Sequence, residues 1–205
     1  MGQIASGTTI VALKFKDGVI IAADKRTSAG YIMVWEETTK KIHQISDNIL
    51  LGAAGSVGDI QFLVKILEAE LKLKEIRSKQ KPTAKEAANL LSTIMHANKW
   101  LPYFTEVIIV GKDNDSYSIY SIDEMGGISY HKRFIATGSG VMYALGVLES
   151  GWKENLSKEE AKELAKKAVL AAIQRDMGSG GGVDLYILTD KGIEFETYTV
   201  KKIIE

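Results

Sequence analysis

The chain contains no cysteine. Disulfide staples, thiolate catalysis and cysteine-held metals are thereby excluded, and an intracellular setting is the easier fit. An excess of either charge is also lacking: 26 basic residues meet 26 acidic ones, for a formal net charge of zero. Nothing in that balance favours nucleic acid or an anionic membrane as a partner, and assembly with other chains meets little electrostatic resistance. No apolar run approaches the roughly 20 residues that cross a bilayer. Residues 1–7 are too short for a secretory signal and lack its charged start. Only Pro82 and Pro102 interrupt the chain, and it shows no repeat, linker or low-complexity tract. The three histidines, His43, His96 and His131, share no ligand spacing, and no acidic cluster suggests a metal, so we expect neither metal nor cofactor.

What is present is ordinary globular material: 205 residues, 45% hydrophobic and 25% charged, which suits one large domain with a sizeable core. Residues 8–23 read as two strands around the turn Lys16-Asp17-Gly18. Residues 41–45 and 49–54 read as a second pair, broken by Asp47-Asn48. From Val57 the apolar period becomes helical, through Ile60, Leu63, Val64, Leu67 and Leu71, and the helix should stop before Pro82. Thr83 with Glu86 and Ser157 with Glu160 are spaced as capping boxes, so helices should open there and run to about Asn98 and Arg175. A further helix is expected from about Ser139. Strands are expected over residues 106–111, 117–122, 128–136, 183–189 and 193–198. Trp35, Trp100 and Trp152 are expected to pack. Strand runs alternating with helix pairs predict an α+β fold, with two antiparallel-rich sheets face to face and helix pairs outside. Several strands are apolar on both parities, as burial between layers requires.

The junction Gly7-Thr8-Thr9 has chemical interest. A threonine hydroxyl is a poor nucleophile until a base takes its proton. If the chain is cut before Thr8, that residue carries its own base, an α-amine of pKa roughly 7.7–8.0.

Thr8-Thr9-Ile10-Val11-Ala12, Gly18-Val19-Ile20-Ile21-Ala22-Ala23-Asp24-Lys25-Arg26, Lys40-Lys41-Ile42 and Ala54-Gly55-Ser56-Val57-Gly58-Asp59 stand in this order. Tyr120-Ser121-Ile122-Asp123 with Gly126-Gly127, Ala136-Thr137-Gly138-Ser139-Gly140, Tyr143-Ala144-Leu145-Gly146-Val147-Leu148-Glu149 and Arg175-Asp176-Met177-Gly178-Ser179-Gly180-Gly181 follow. The ordered set, from Thr8 to at least Asp184, resembles the β-type subunits of proteasome core particles, archaeal ones included.

The resemblance implies a four-layer αββα sandwich of the amino-terminal-nucleophile hydrolases. It implies a propeptide over residues 1–7, removed by self-cleavage between Gly7 and Thr8, and one catalytic domain over residues 8–205. By position, Thr8 matches the nucleophile, Asp24 the acid paired with a catalytic lysine, Lys41 that lysine, and Gly55 the oxyanion N–H. Ser139, Asp176 and Ser179 match the polar group around the amine. Between Gly30 and Lys40 the chain is one residue longer than the commonest spacing, which brings Lys40 into question. The distance from Lys41 to Gly55 favours Lys41. Thr27, Ser28, Thr39, His43, Ala53, Val57 and Gln61 match substrate-binding positions, with Ala53 at the pocket floor. None is acidic, which favours bulky neutral substrate residues. Ile10 replaces a frequent threonine, with little expected effect.

The resemblance further implies partners: other β-type subunits in a seven-membered ring, α-type rings outside, unfolded polypeptide as substrate, and a regulatory ATPase acting through the α ring. It implies a cytoplasmic threonine endopeptidase. The alternative is an unprocessed, catalytically silent β-type subunit that serves as ring scaffold.

Overall fold

The computed structural model describes residues 7–29 and 33–199. Residues 1–6 of the expected propeptide lie outside the described residues. So do residues 30–32, within the stretch that bears on the lysine register, and residues 200–205.

In chain order the elements are β1 (Ile10–Phe15), β2 (Gly18–Asp24), β3 (Thr27–Ala29), β4 (Met33–Glu36), β5 (Ile42–Ser46), β6 (Ile49–Gly55), α1 (Val57–Ser78) and α2 (Ala84–Ala97). They continue with β7 (Thr105–Asp113), β8 (Ser116–Ile122), β9 (Ile128–His131), β10 (Phe134–Thr137), α3 (Val141–Gly151), α4 (Lys158–Arg175), β11 (Val183–Thr189) and β12 (Gly192–Tyr198). One antiparallel sheet runs β10-β1-β2-β11-β12, and the other runs β5-β6-β7-β8-β9. β3 and β4 form a separate hairpin.

Side-chain alternation sorts each strand between two layers. On β1, Ile10 and Ala12 face the other sheet, where they meet Ile42, Leu50, Ile108 and Val110. Val11, Leu13 and Phe15 face the opposite way, onto Leu148, Leu164, Ala165 and Ala168 of α3 and α4. The second sheet does the same: Leu51, Ala53, Val107 and Ile109 pack under Leu63, Leu67, Leu91 and Met95 of α1 and α2. The result is the expected sandwich, helices outside and two sheets within. β2 is buried along its whole length, which explains its unbroken apolar run. Each fully buried Ile or Leu contributes roughly 1.5–3 kcal/mol of transfer free energy, so the three apolar layers dominate the stability.

Both capping boxes form. Thr83 accepts from the Glu86 N–H while the Glu86 carboxylate accepts from the Thr83 N–H, and Ser157 and Glu160 repeat the arrangement. α1 is capped by Ser56, whose hydroxyl accepts from the Asp59 N–H. α1 stops at Lys79 in the left-handed conformation, three residues before Pro82.

Two expectations are corrected. The strand expected over residues 128–136 is two strands in different sheets: β9 pairs with β8, the chain crosses at Lys132-Arg133, and β10 pairs with β1. Each half is apolar enough to satisfy its own sheet, so a single pattern concealed the crossing. α3 opens at Val141, close to the expected Ser139; Gly138 at φ +92° first turns the chain tightly against the Thr8 carbonyl. Trp152 packs as expected, its ring beside Phe134 and its indole N–H donating to the Lys14 carbonyl. Trp35 and Trp100 do not pack: they are 68% and 91% exposed on a hairpin and a loop.

Candidate active site

Thr8 lies just before β1, in the cleft between the sheets, and is buried. Its hydroxyl donates to the Gly7 carbonyl oxygen at 2.7 Å. The Lys41 ammonium donates to that same oxygen at 2.9 Å and to Asp24 Oδ1 at 2.8 Å. Lys41 stands at the entrance to β5, in the other sheet, so the two sheets meet across one carbonyl group. Lys40 is exposed, with its ammonium 5.9 Å from the Tyr186 ring centroid. The geometry therefore places the Lys41 ammonium, and not that of Lys40, on the Gly7 oxygen beside Thr8.

Asp24 closes β2 with its carboxylate fully buried. Oδ1 accepts from the Thr9 N–H at 2.8 Å and from Lys41; Oδ2 accepts from the Gly180 N–H at 2.9 Å and the Arg26 N–H at 3.1 Å. Burial pushes the Asp24 carboxyl up from its ordinary value, against the Lys41 charge and these hydrogen bonds. All four neighbours are donors, so a protonated Asp24 would find no acceptor for its own hydrogen, and the carboxylate stays ionised. Burial likewise pulls the Lys41 ammonium down, opposed chiefly by Asp24.

A second network holds the Thr8 nitrogen. That N–H donates to Ser139 Oγ at 3.0 Å, and Ser139 donates in turn to Asp176 Oδ2 at 2.6 Å. Ser179 donates to the same oxygen at 2.6 Å, which leaves its lone pairs for the Thr9 hydroxyl at 2.7 Å. Asp176 is the C-cap of α4, and Ser139 sits in the turn before α3, so the helix layer aims this network. Two close approaches fix the frame. A Cβ on Gly7 would lie 2.1 Å from Gly178 Cα, and one on Gly138 would lie 2.2 Å from the Thr8 carbonyl oxygen. Neither position tolerates a side chain without movement.

Beside Thr8 is a cavity lined by Thr27, Thr39, Lys40, Lys41, His43, Gly55, Val57, Ile60 and Gln61. Gly55 ends β6 at φ +135°, where a Cβ would meet the Phe104 carbonyl at 2.1 Å, so only glycine fits. Burial, and then the Lys40 charge, push His43 below its ordinary value, which keeps its ring neutral near pH 7. Two residues expected here lie elsewhere. Ala53 is packed under α1, because β6 alternation turns it toward the helices. Ser28 accepts from the Gly7 N–H at 3.1 Å and holds the segment that enters the site.

Sequence reasoning missed Thr9, Ile60 and the Arg26 side chain. Thr9 is adjacent to the proposed nucleophile, and Ile60 sits one helical turn beyond Val57, so spacing offered a signal for both. Among the described residues, no group of three His, Cys, Asp or Glu is placed to hold a metal, and no helix is long and apolar enough to cross a membrane.

A family model for proteasome subunits matches residues 4–188. Proteasome subunit beta of Archaeoglobus profundus is 40% identical over 203 residues, covering 98% of this chain and 94% of the relative. The subunit of Archaeoglobus fulgidus is 41% identical over 201 residues, covering 98% and 93%. That of Methanocaldococcus jannaschii is 40% identical over 205 residues, covering 99% and 91%. With a match over nearly its full length and a sandwich that places the family's motif residues together, this chain belongs to the proteasome subunit family, among its β-type members.

Proposed function

We propose that the chain is a threonine endopeptidase of the proteasome core particle, activated by cleavage of its own Gly7–Thr8 bond. The observation that carries this reading is the meeting of the Thr8 hydroxyl and the Lys41 ammonium on one oxygen, that of Gly7.

Self-cleavage begins when Thr8 Oγ1 adds to the Gly7 carbonyl carbon. Negative charge develops on the carbonyl oxygen, where the Lys41 ammonium receives it. The C–N bond then breaks, and the hydroxyl proton is carried to the departing Thr8 nitrogen. An ester joins Gly7 to Thr8 Oγ1. Water adds to that ester and releases Gly7 as a carboxylate, leaving Thr8 with a free hydroxyl and a free α-amine.

In the processed chain the α-amine replaces the amide held by Ser139. The charge of Lys41, fixed by Asp24, favours the neutral amine, which takes the Thr8 hydroxyl proton as Oγ1 attacks a peptide carbonyl. The protonated amine returns that proton to the leaving nitrogen. Water, deprotonated by the same amine, opens the acyl ester. Gly55, with no side chain to block approach, offers its N–H to the developing oxyanion.

Thr8→Ala tests the first step. It should keep residues 1–7 in the assembled particle, read by intact mass, whereas the wild-type chain loses them. A Thr8→Ala chain that still sheds them in pure preparations would sink the mechanism.

The cavity beside Thr8 receives the side chain that precedes the scissile bond. No acidic group lines it, so nothing there pairs a basic side chain. Val57, Ile60 and neutral His43 favour apolar bulk, and burying such a group contributes roughly 1.5–3 kcal/mol, enough to rank substrates by tens-fold. Fluorogenic peptides ending in leucine, tyrosine or phenylalanine should outrun the arginine peptide, and the reverse order would refute this pocket. The chain works in a seven-membered ring of β-type subunits between α-type rings, on unfolded polypeptide admitted through the α ring under a regulatory ATPase, in the cytoplasm. Exposed Trp35 and Trp100 suit such contacts.

A further inference from the structure

The Arg26 backbone N–H serves Asp24, but its side chain belongs to neither network described above and lies between the segments that carry them. It follows β2 by two residues and is mostly buried, with 13% of the side chain exposed. Nη1 donates to the Met177 carbonyl at 3.3 Å, and Nη2 donates to Glu37 Oε1 at 3.0 Å. The guanidinium covers Gly180 so closely that a Cβ there would sit 2.3 Å from its carbon. Nε is buried without a hydrogen-bond partner, a cost tolerated where the group's other contacts are needed. Gly181 and Gly182 then cross the same region at φ +76° and +138°, Gly181 against the Glu37 carbonyl.

We propose that Arg26 is a positioning residue: its guanidinium clasps the loop of residues 177–180 to the segment of residues 37–39 and so fixes the Asp176–Ser179 network relative to Lys41. This rests on the peptidase reading for its catalytic consequence. The loop on one side supplies Ser179 and the Gly180 N–H that holds Asp24. The segment on the other side leads within two residues into Lys41, and the Thr39 N–H donates to the Lys25 carbonyl at 2.9 Å. A planar fork that reaches both at once suits arginine, and lysine reaches only one. The charge acts too. Lys41 is faced by Asp24 and Asp176, which favour its protonated form, and by Arg26, which adds to the effect of burial in disfavouring it.

Hydrogen exchange on the full chain reads the clasp. In Arg26→Gln the amides of residues 177–182 should exchange at least about tenfold faster than in the wild type, while β1, β2 and β11 keep their protection. In assembled particles, Arg26→Gln should lower kcat roughly ten- to a hundredfold with little change in KM, and should move the alkaline midpoint of the pH–rate profile, where Lys41 loses its proton, upward. Arg26→Lys should leave that midpoint in place while kcat stays reduced. Unchanged exchange in residues 177–182, or faster exchange with unaltered kcat, overturns the proposal. If Arg26→Gln does not fold, Glu37→Ala removes only the half-exposed anchor and carries the same exchange test, with a smaller increase expected. If the wild-type particle hydrolyses no peptide, the peptidase reading fails, and the exchange result alone decides the clasp.

Discussion

At the Thr8 end of the sandwich, Lys41 and Asp24 meet at 2.8 Å with 5% and 0% of their side chains exposed. At the opposite end, where the turns after β1, β5, β7 and β11 gather, Lys112 and Asp190 meet at 2.7 Å with 36% and 77% exposed. Distance alone does not separate the two pairs. Water does. At the turn end the pair exchanges hydrogen bonds with solvent, and such pairs are typically worth roughly 0–1 kcal/mol. At the Thr8 end both charges have been stripped of water, and the cost is met only because four donors surround Asp24 and two acceptors face Lys41. A fold gains nothing for stability by this choice over a well-packed apolar pair. Buried, partnered charge at one end and solvated charge at the other therefore supports the Thr8 end as the site of the proposed chemistry.

Four substitutions would break or sharpen that contrast. The largest effect is expected from Lys41→Ala, which removes the ammonium from the Gly7 oxygen and should lower peptidase activity roughly 10²–10⁴-fold in assembled particles. Lys40→Ala should stay within a few-fold of wild type in the same fluorogenic assay; the opposite ranking would reassign the lysine. Next is Asp24→Ala. It strands Lys41 in a buried site and frees the N–H groups of Thr9, Arg26 and Gly180, so denaturant unfolding should show a loss of roughly 3–5 kcal/mol. A loss below about 1 kcal/mol would place this pair with the surface pairs. The smallest effect is expected from Lys112→Ala, within about 0.5 kcal/mol of wild type. A large effect there would mean that the turn end is as strongly constrained as the Thr8 end.

Much of the fold is legible in local chemistry. The two capping boxes locate the starts of α2 and α4, and Asp17-Gly18 locates the β1–β2 turn. The two-sided burial of β2 follows from its unbroken apolar run. What local chemistry does not show is partition between layers. Residues 128–136 carry one apolar pattern, and the crossing at Lys132-Arg133 is visible only once β8 and β1 compete for the two halves. Trp35 and Trp100 resemble core residues because bulk and apolarity normally end inside, but no layer of this chain covers them. The site is legible by a different route. Thr8, Asp24, Lys41, Ser139, Asp176 and Ser179 come from the order of motifs, since no periodicity joins positions as far apart as 8 and 176. The role of the Arg26 side chain is not legible in the sequence, because two of its contacts run to a backbone carbonyl and a glycine and the third to Glu37, eleven residues away with no spacing that marks the pair.

The convergence of Thr8 and Lys41 from different sheets has a consequence for the order of events in folding. Thr8 is carried by the first sheet and Lys41 by the second, and each helix layer can in principle pack on its own sheet before the sheets meet. The two groups come within reach of one carbonyl only when Ile10, Ala12 and Ile21 close against Leu50, Ile108 and Val110. A nascent or partly collapsed chain therefore holds every one of the proposed catalytic side chains and none of their geometry. On the peptidase reading, the power to cut cannot precede the closing of that last apolar layer.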